Sequence, residues 1–396
     1  MIKKRSTWYI RLLSAFLMLA LCLVACQLNE APAGSSGTTP VQDEPLPPVP
    51  EPVDEGEPDG SAEEVEPKPE EPEERFAIVV IPDTQNMIQD AGNTMVDQML
   101  RWVAGSAHEL NTVFVTHVGD VVSHASRSAE WERAAAAFSH LDGRLPYSVA
   151  LGNHEYSTHS DMNSSFENYR SYFGPERYAA YPWYGGADSS GKNHYQIFTV
   201  GDREFLHVAL EWEAPGEIDD PDSALGWVQG VLDAHPGVPT IVTTHAYLWD
   251  EPGLEGHSQD VMGPDRTREP TGSNTGAQIF EKLIEPNPQV FMVLGGHFHR
   301  GSLAKGTLGE YHQVSKNSAG QPVFEMLSNY QAYPNGGNGW LRIIEFTEGG
   351  GEDDLDRISV YTYSPVLDEY QDDDSSRFHF DLDFEERWSG AYVRSR

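Results

Sequence analysis

From residue 76 onward, short apolar runs alternate with stretches of helical spacing. Residues 76–81 and 113–116 are nearly continuous apolar runs, the pattern of strands buried on both faces. Residues 147–151, 238–243 and 290–294 repeat it. Between them, Met95, Met99, Leu100, Trp102 and Val103 fall near a helical period. Residues 130–141 with their four alanines, 164–173, 225–232 and 278–284 also predict helices, with Gly174-Pro175 and Pro286 as stops. Residues 194–200 and 204–210 predict a hairpin turning at Gly201-Asp202. Strand and helix in alternation predict an α/β domain. The late runs 322–327, 341–346 and 358–363 are strand-like between Gly-rich and acidic turns, and we expect them to form a second sheet packed on the first. No internal repeat is visible.

The apolar runs end in residues that bind metals. Asp83 and Gln85 follow the first, Gly119-Asp120 the second, and Gly152-Asn153-His154-Glu155 the third. His245 follows residues 240–242, and Gly296-His297-Phe298-His299 follows 291–294. In α/β folds the carboxyl ends of neighbouring strands meet in one crevice, so residues distant in sequence converge there. Residues i and i+2 of an extended segment point to one side, which lets Asp83 and Gln85, or His297 and His299, serve one ion. Hard oxygen donors mixed with imidazoles suit Mn, Fe or Zn. Two such ions generate hydroxide at neutral pH and clamp both oxygens of an in-line displacement at phosphorus. His154, beside a donor, is then placed to protonate the leaving oxygen.

These motifs resemble those of the calcineurin-like metallophosphoesterase superfamily, whose pattern runs D-x-H, GD-x-x-[DN], GNH-[DE], a lone H, then GH-x-H. The matching residues are Asp83-Thr84-Gln85, Gly119-Asp120-Val121-Val122-Ser123, Gly152-Asn153-His154-Glu155, His245 and Gly296-His297-Phe298-His299. The resemblance implies a four-layer αββα sandwich of two mixed sheets flanked by helices. It implies two divalent or trivalent ions: Asp83, Gln85, Asp120 and His299 on the first, Asp120, Asn153, His245 and His297 on the second. It also implies that His154 binds phosphate and assists the leaving group of a phosphate ester, monoester or diester. Two positions depart from the pattern. Gln85 stands where His is usual, as in a DPQ-bearing branch, and Ser123 where Asp or Asn is common.

Other histidines have plainer readings. His117 and His124 flank Asp120 and are expected as hydrogen-bonded neighbours of the donors or as surface residues, and His207 as core. His154-Glu155 with His159 is one residue too long for a zincin helix, and no G-x-S-x-G elbow occurs. Asn329-Tyr330-Gln331 and the Gly-rich stretch after it are either pocket lining or a plain loop. The rival to an enzyme is a surface lipoprotein that keeps the fold and only binds a ligand or partner. Retention of His154 and of a donor at every ligand position favours the enzyme.

Composition adds the setting. The 396 residues carry a formal net charge of −36 and a pI near 4.6, which argues against a nucleic-acid partner. Lys3, Lys4, Arg5 and Arg11 precede an apolar run over 12–24 that is short for a membrane span. It ends in Leu23-Val24-Ala25-Cys26, which resembles the lipobox of bacterial lipoproteins and implies lipidation of Cys26. Removal of 1–25 would take Cys22 away and leave no disulfide within one molecule. Residues 26–75 are a Pro/Glu-rich linker that cannot bury enough surface to order itself and spans up to roughly 150 Å when extended. We therefore expect a phosphoesterase domain over 76–396, with a β-rich extension from about 320, held outside the cytoplasm by a lipid anchor. Oligomeric state is not encoded in any of these features.

Overall fold

The structure is a computed structural model that describes residues 75–250, 255–259, 272–299 and 309–388. The expected signal peptide, linker and Cys26 lie outside the described residues. In chain order the strands are β1 (Arg75–Ile81), β2 (Thr112–His117), β3 (Tyr147–Val149), β4 (Tyr184–Ala187), β5 (His194–Val200), β6 (Arg203–Ala209), β7 (Thr240–Thr243), β8 (Leu248–Trp249) and β9 (Gly256–His257). They continue as β10 (Val290–Gly295), β11 (Glu310–Lys316), β12 (Pro322–Ser328), β13 (Leu341–Thr347), β14 (Asp356–Ser364), β15 (Glu369–Tyr370) and β16 (Arg377–Leu382).

Two mixed sheets result. The first has the order β15-β14-β13-β1-β2-β3, with β16 also on β14. The second has the order β11-β12-β10-β7-β6-β5-β4. Parallel pairing joins β1 to β2 to β3 in one sheet and β6, β7, β10 and β12 in the other, so two sets of strand carboxyl ends are created.

The apolar runs are continuous because both faces are covered. From β1, Ile78 and Val80 enter the layer between the sheets, while Ala77, Val79 and Ile81 face the opposite way. Aromatic pairs fill that inner layer, among them Phe76 with Phe205 at 5.6 Å, Phe114 with Phe198 at 4.8 Å and Phe324 with Phe380 at 4.5 Å between centroids. On the outside, helix α1 (Met95–Ser106) buries Val96, Met99, Leu100 and Val103, a stripe with three- and four-residue spacing. Its Trp102 meets Tyr363 of β14. Helix α2 (Ser128–Phe138) sets Phe138 against His117 and Tyr147 of β2 and β3. Helix α3 (Ala224–Ala234) starts at Ser223, whose hydroxyl accepts from Gly226 N–H, and sets Trp227 against Tyr195 of β5. The order is helix, sheet, sheet, helix, as the resemblance implied. Among the described residues no helix is long and apolar enough to cross a membrane.

The late strands depart from expectation. They do not form one second sheet: β11 and β12 extend the second sheet, whereas β13 to β16 complete the first. β13 lies antiparallel against β1, from Arg75 opposite Thr347 to Val80 opposite Arg342. The expected extension is therefore divided between the two sheets, and the alternation along these strands suits either one equally. The helix expected over 164–173 starts at Glu167, and Pro175 opens a further turn, Pro175–Tyr178, instead of only stopping the first.

A row of buried polar side chains ties the sheets together. Thr116 Oγ1 of β2 donates to Thr243 Oγ1 of β7 at 3.0 Å, and Thr243 meets His207 Nε2 at 2.9 Å. His207 Nδ1–H donates to Gln196 Oε1, Gln196 Nε2 donates to His194 Nδ1, and His194 Nε2–H donates to Val149 O of β3. Ser148 Oγ, 3.2 Å from Thr116, supplies the first donor. Burial holds His194 down to about 4 and His207 well below its ordinary value, so both are neutral and each gives and takes one hydrogen. His207 is core, as its place in a strand predicted.

Candidate metal centre

Every expected donor follows a strand. Neither the Asp83 and Gln85 pair nor the His297 and His299 pair lies on the extended segment expected: Thr84 is helical and Gln85 opens the turn Gln85–Ile88, and His297 is left-handed. Asp83 follows β1, Asp120 follows β2 and Asn153 follows β3, all in the first sheet. His245 follows β7, and His297 and His299 follow β10, in the second. Asp120 with φ 57° and His297 with φ 67° occupy the left-handed region, which costs an ordinary residue about 1 kcal/mol or more. The Asp120 carbonyl accepts from Thr84 N–H at 3.1 Å and Gln85 N–H at 3.0 Å, which binds the first loop to the second.

Four atoms form a closed set. Asn153 Oδ1 lies 3.0 Å from His245 Nε2 and 2.9 Å from His297 Nδ1. The two ring nitrogens are 3.1 Å apart, and Asp120 Oδ1 is 3.1 Å from His245 Nε2. His245 Nδ1–H donates to Val118 O at 2.9 Å, so Nε2 presents its lone pair inward. Carboxylate and imidazole donors of Asp120, His245 and His297 fall within 4.8 Å of one another. With protein groups alone, acceptors face acceptors. Burial would push His245 down, but the Asp120 and Asp83 carboxylates outweigh it and hold the ring up at about 9. That proton is the minimal cation the set accepts. Donors about 2.1 Å from one tetrahedral ion are about 3.4 Å apart, so a slight outward shift admits a metal.

The other side is more open. Asp83 is buried and accepts from His297 N–H at 3.2 Å on each oxygen. Burial, then the Asp120 charge against the relief given by His245, holds its carboxyl well above the usual range. Gln85 Nε2 donates to Asp120 Oδ2 at 3.0 Å, while its Oε1 is buried with no hydrogen-bond partner. An unpaired buried amide oxygen beside two carboxylates suits a cation. His299 is exposed, and it and Asp83 fall outside the 4.8 Å set.

His154 borders both sides. Its backbone N–H donates to Asp120 Oδ1 at 3.0 Å, and its Nε2 is 3.9 Å from Asp120 Oδ2. Its Nδ1–H donates to the Ser123 carbonyl at 2.9 Å. The departure at position 123 therefore leaves the ring oriented, by backbone instead of a side chain. His117 is buried: Nδ1 accepts from Gly119 N–H at 3.1 Å and Nε2 meets Thr84 Oγ1 at 3.0 Å. His124 pairs with Glu130 at 3.0 Å.

Three supports were not assigned from sequence. Glu155, buried, accepts from Gly152 N–H at 2.7 Å, Asp120 N–H at 2.9 Å and Val121 N–H at 2.8 Å, which draws two donor loops onto one carboxylate. Its acidic position in the GNHE motif was the available signal. His159 Nε2 accepts from Asn153 Nδ2 at 2.7 Å. Asn329 Nδ2 donates to His297 O at 3.0 Å, so the loop after β12 steadies the His297 turn. Two motif glycines serve close approach. A Cβ on Gly152 would sit 2.4 Å from Asp120 Oδ1, and one on Gly296 would sit 2.3 Å from Asp83 Oδ1.

Comparison with known proteins bears on this arrangement. A family model, calcineurin-like phosphoesterase, matches residues 76–301. The chain is 29% identical over 322 residues to uncharacterized protein YvnB of Bacillus subtilis (strain 168), covering 79% of this chain and 22% of that protein. It thus spans about a fifth of that relative's length. Among solved structures, it is similar to a purple acid phosphatase from yellow lupin (Lupinus luteus) seeds, with TM-score 0.48 and 12% identity over 79% of this chain and 55% of that one. It is also similar to a dimetal phosphatase from Danio rerio, with TM-score 0.41 and 13% identity over 78% of this chain and 99% of that one.

Proposed function

The chain belongs to the calcineurin-like phosphoesterase family, and from that premise we propose that it is a metal-dependent hydrolase of a phosphate ester. The observation that carries the reading is the closed set of Asp120, Asn153, His245 and His297, whose lone pairs converge without a protein donor other than a shared proton. Those four residues would hold one ion. Asp83, Gln85, Asp120 and His299 would hold the other, with Asp120 shared. When bound, the pair supplies Lewis acidity at phosphorus and lowers the pKa of a water. The chain's own residues do the rest. His154, with Nδ1–H spent on Ser123, keeps Nε2 as the atom that passes a proton to the leaving oxygen. Glu155 keeps the Asp120 and Asn153 loops together while this happens.

The test is a panel of phosphate monoesters, diesters and nucleotides assayed after reconstitution with Mn, Zn or Fe, alongside elemental analysis. Hydrolysis with about two ions per chain is expected. Fewer than one ion per chain, or no turnover with any metal, would reject the reading.

The setting is likewise our proposal. The charged start, short apolar run and lipobox-like Cys26 support a lipid-anchored, extracytoplasmic protein whose linker holds the domain away from the membrane. Cys26→Ser should abolish lipid labelling and release the protein while leaving catalysis intact. Unchanged membrane retention would overturn it.

A further inference from the structure

The Asn153 amide has two ends of nearly equal shape, and only the oxygen is a metal donor. Once the His245 Nε2 proton has left, as metal binding requires, His245 Nε2 and His297 Nδ1 both present lone pairs. The nitrogen end of the amide would fit there at least as readily as the oxygen, since an NH₂ donates where those rings accept. Something outside the donor set must therefore choose the end. We infer that His159 makes that choice, as a positioning residue that holds the Asn153 nitrogen outward and so keeps the oxygen on the closed set. The inference rests on the metal-centre reading above.

Asn153 Nδ2 carries two hydrogens, and both have acceptors on the far side from the rings. One goes to His159 Nε2 at 2.7 Å and the other to Ser160 Oγ at 2.9 Å. A hydroxyl such as Ser160 rotates and would greet either end of the amide, so it does not discriminate by itself. The 2.7 Å contact with Nδ2, which can only donate, places the His159 ring hydrogen on Nδ1, and in that tautomer Nε2 presents a lone pair that greets only the nitrogen end. His159 is brought there by a closed loop: Ser160 N–H donates to Asn153 O at 3.1 Å, and Ser160 adopts φ 59°. The spacing that is one residue too long for two histidines on one helix face instead returns His159 to the residue just before His154. The His159 ring also lies 3.9 Å from that of His154, centroid to centroid, so one side chain touches both the amide donor and the group set to protonate the leaving oxygen.

The experiment is a calorimetric titration of the full-length apo-protein with Mn²⁺, for wild type, His159→Ala and His159→Gln. Wild type should show two binding events. His159→Ala should weaken one of them by about 10- to 100-fold, the range for losing a group that orients a ligand, and leave the other in place. His159→Gln, whose side-chain oxygen also accepts from the amide, should regain most of the loss. At saturating Mn²⁺, His159→Ala should recover much of its kcat, since the defect is in holding the ion. His159 is exposed, so both variants should keep the wild-type circular dichroism and melting temperature. Two wild-type events with unchanged affinities in His159→Ala would overturn the inference, and so would equal losses in the Ala and Gln variants. A wild type that binds no Mn²⁺ or other transition metal would instead overturn the metal-centre reading on which the inference stands.

Discussion

Two buried polar clusters bridge the sheets, and they obey opposite rules. In the row from Ser148 through Thr116, Thr243, His207, Gln196 and His194 to Val149, each donor meets an acceptor head to tail and both histidines are neutral. In the set of Asp120, Asn153, His245 and His297, four acceptors converge on a single proton, and His245 is held charged to about pH 9. The first cluster is complete as protein. The second is complete only with a cation. Burial is equal for much of the two, so it is the direction of the hydrogen bonds that separates structure from chemistry.

The largest effect should come from a residue at the edge of the second cluster. His154→Ala should lose roughly 10²- to 10⁴-fold in turnover on an alkyl ester, the range for general acid catalysis, with metal content unchanged. An unchanged rate would remove His154 from the reaction. His245→Ala should cost more than about 100-fold in affinity at the closed set, beyond what loss of an orienting neighbour costs, whereas His299→Ala at the exposed rim should cost less. Competition against a chelator of known affinity measures both.

The contrasting change lies in the row. Gln196→Leu strands His207 Nδ1–H and the His194 Nδ1 lone pair, at about 1–3 kcal/mol for each buried group left unpaired. Urea unfolding should show the loss while Mn²⁺ affinity is retained. If metal binding falls in step with stability, the two clusters are not separable.

A fourth expectation concerns pH. His245, raised to about 9 from an ordinary value near 6.5, stabilises the apo fold fully below the lower value, and that stability is lost as pH rises through the upper one. Metal must displace this proton, so affinity at the closed set should rise about tenfold per pH unit across the window and flatten above it. Proton release in unbuffered titrations checks it. The smallest change is Gln85→His, which replaces a neutral oxygen donor by imidazole and should raise affinity on the open side several-fold, with a shift from Mn²⁺ towards Zn²⁺. If neither affinity nor preference moves, Gln85 is not a donor.

Much of this was legible because each donor follows an apolar run. Asp83, Asp120, Asn153, His245 and His297 could be placed at strand ends from local pattern alone, and the structure brings four of those side chains into one cluster and Asp83 to its border. What pairs at a distance was not legible. The seating of β13 against β1 depends on which edge is free, and the alternation of its residues does not report that. His159 was measured against a helical spacing, but the chain turns back at Ser160. Glu155 carries four backbone hydrogen bonds, and only the one from Gly152, at capping-box spacing, is anticipated by a spacing rule.

The contacts at Gly152 and Gly296 have a genetic consequence. An added methyl at either would press on a carboxylate, Asp120 in one case and Asp83 in the other. Alleles at these two codons should therefore mimic loss of a donor although no donor has changed. A screen for inactive but abundant protein would return them together with the histidines, and any second-site suppressors should map to the loop opposite. At these two positions the absence of a side chain does as much for the site as the presence of a donor.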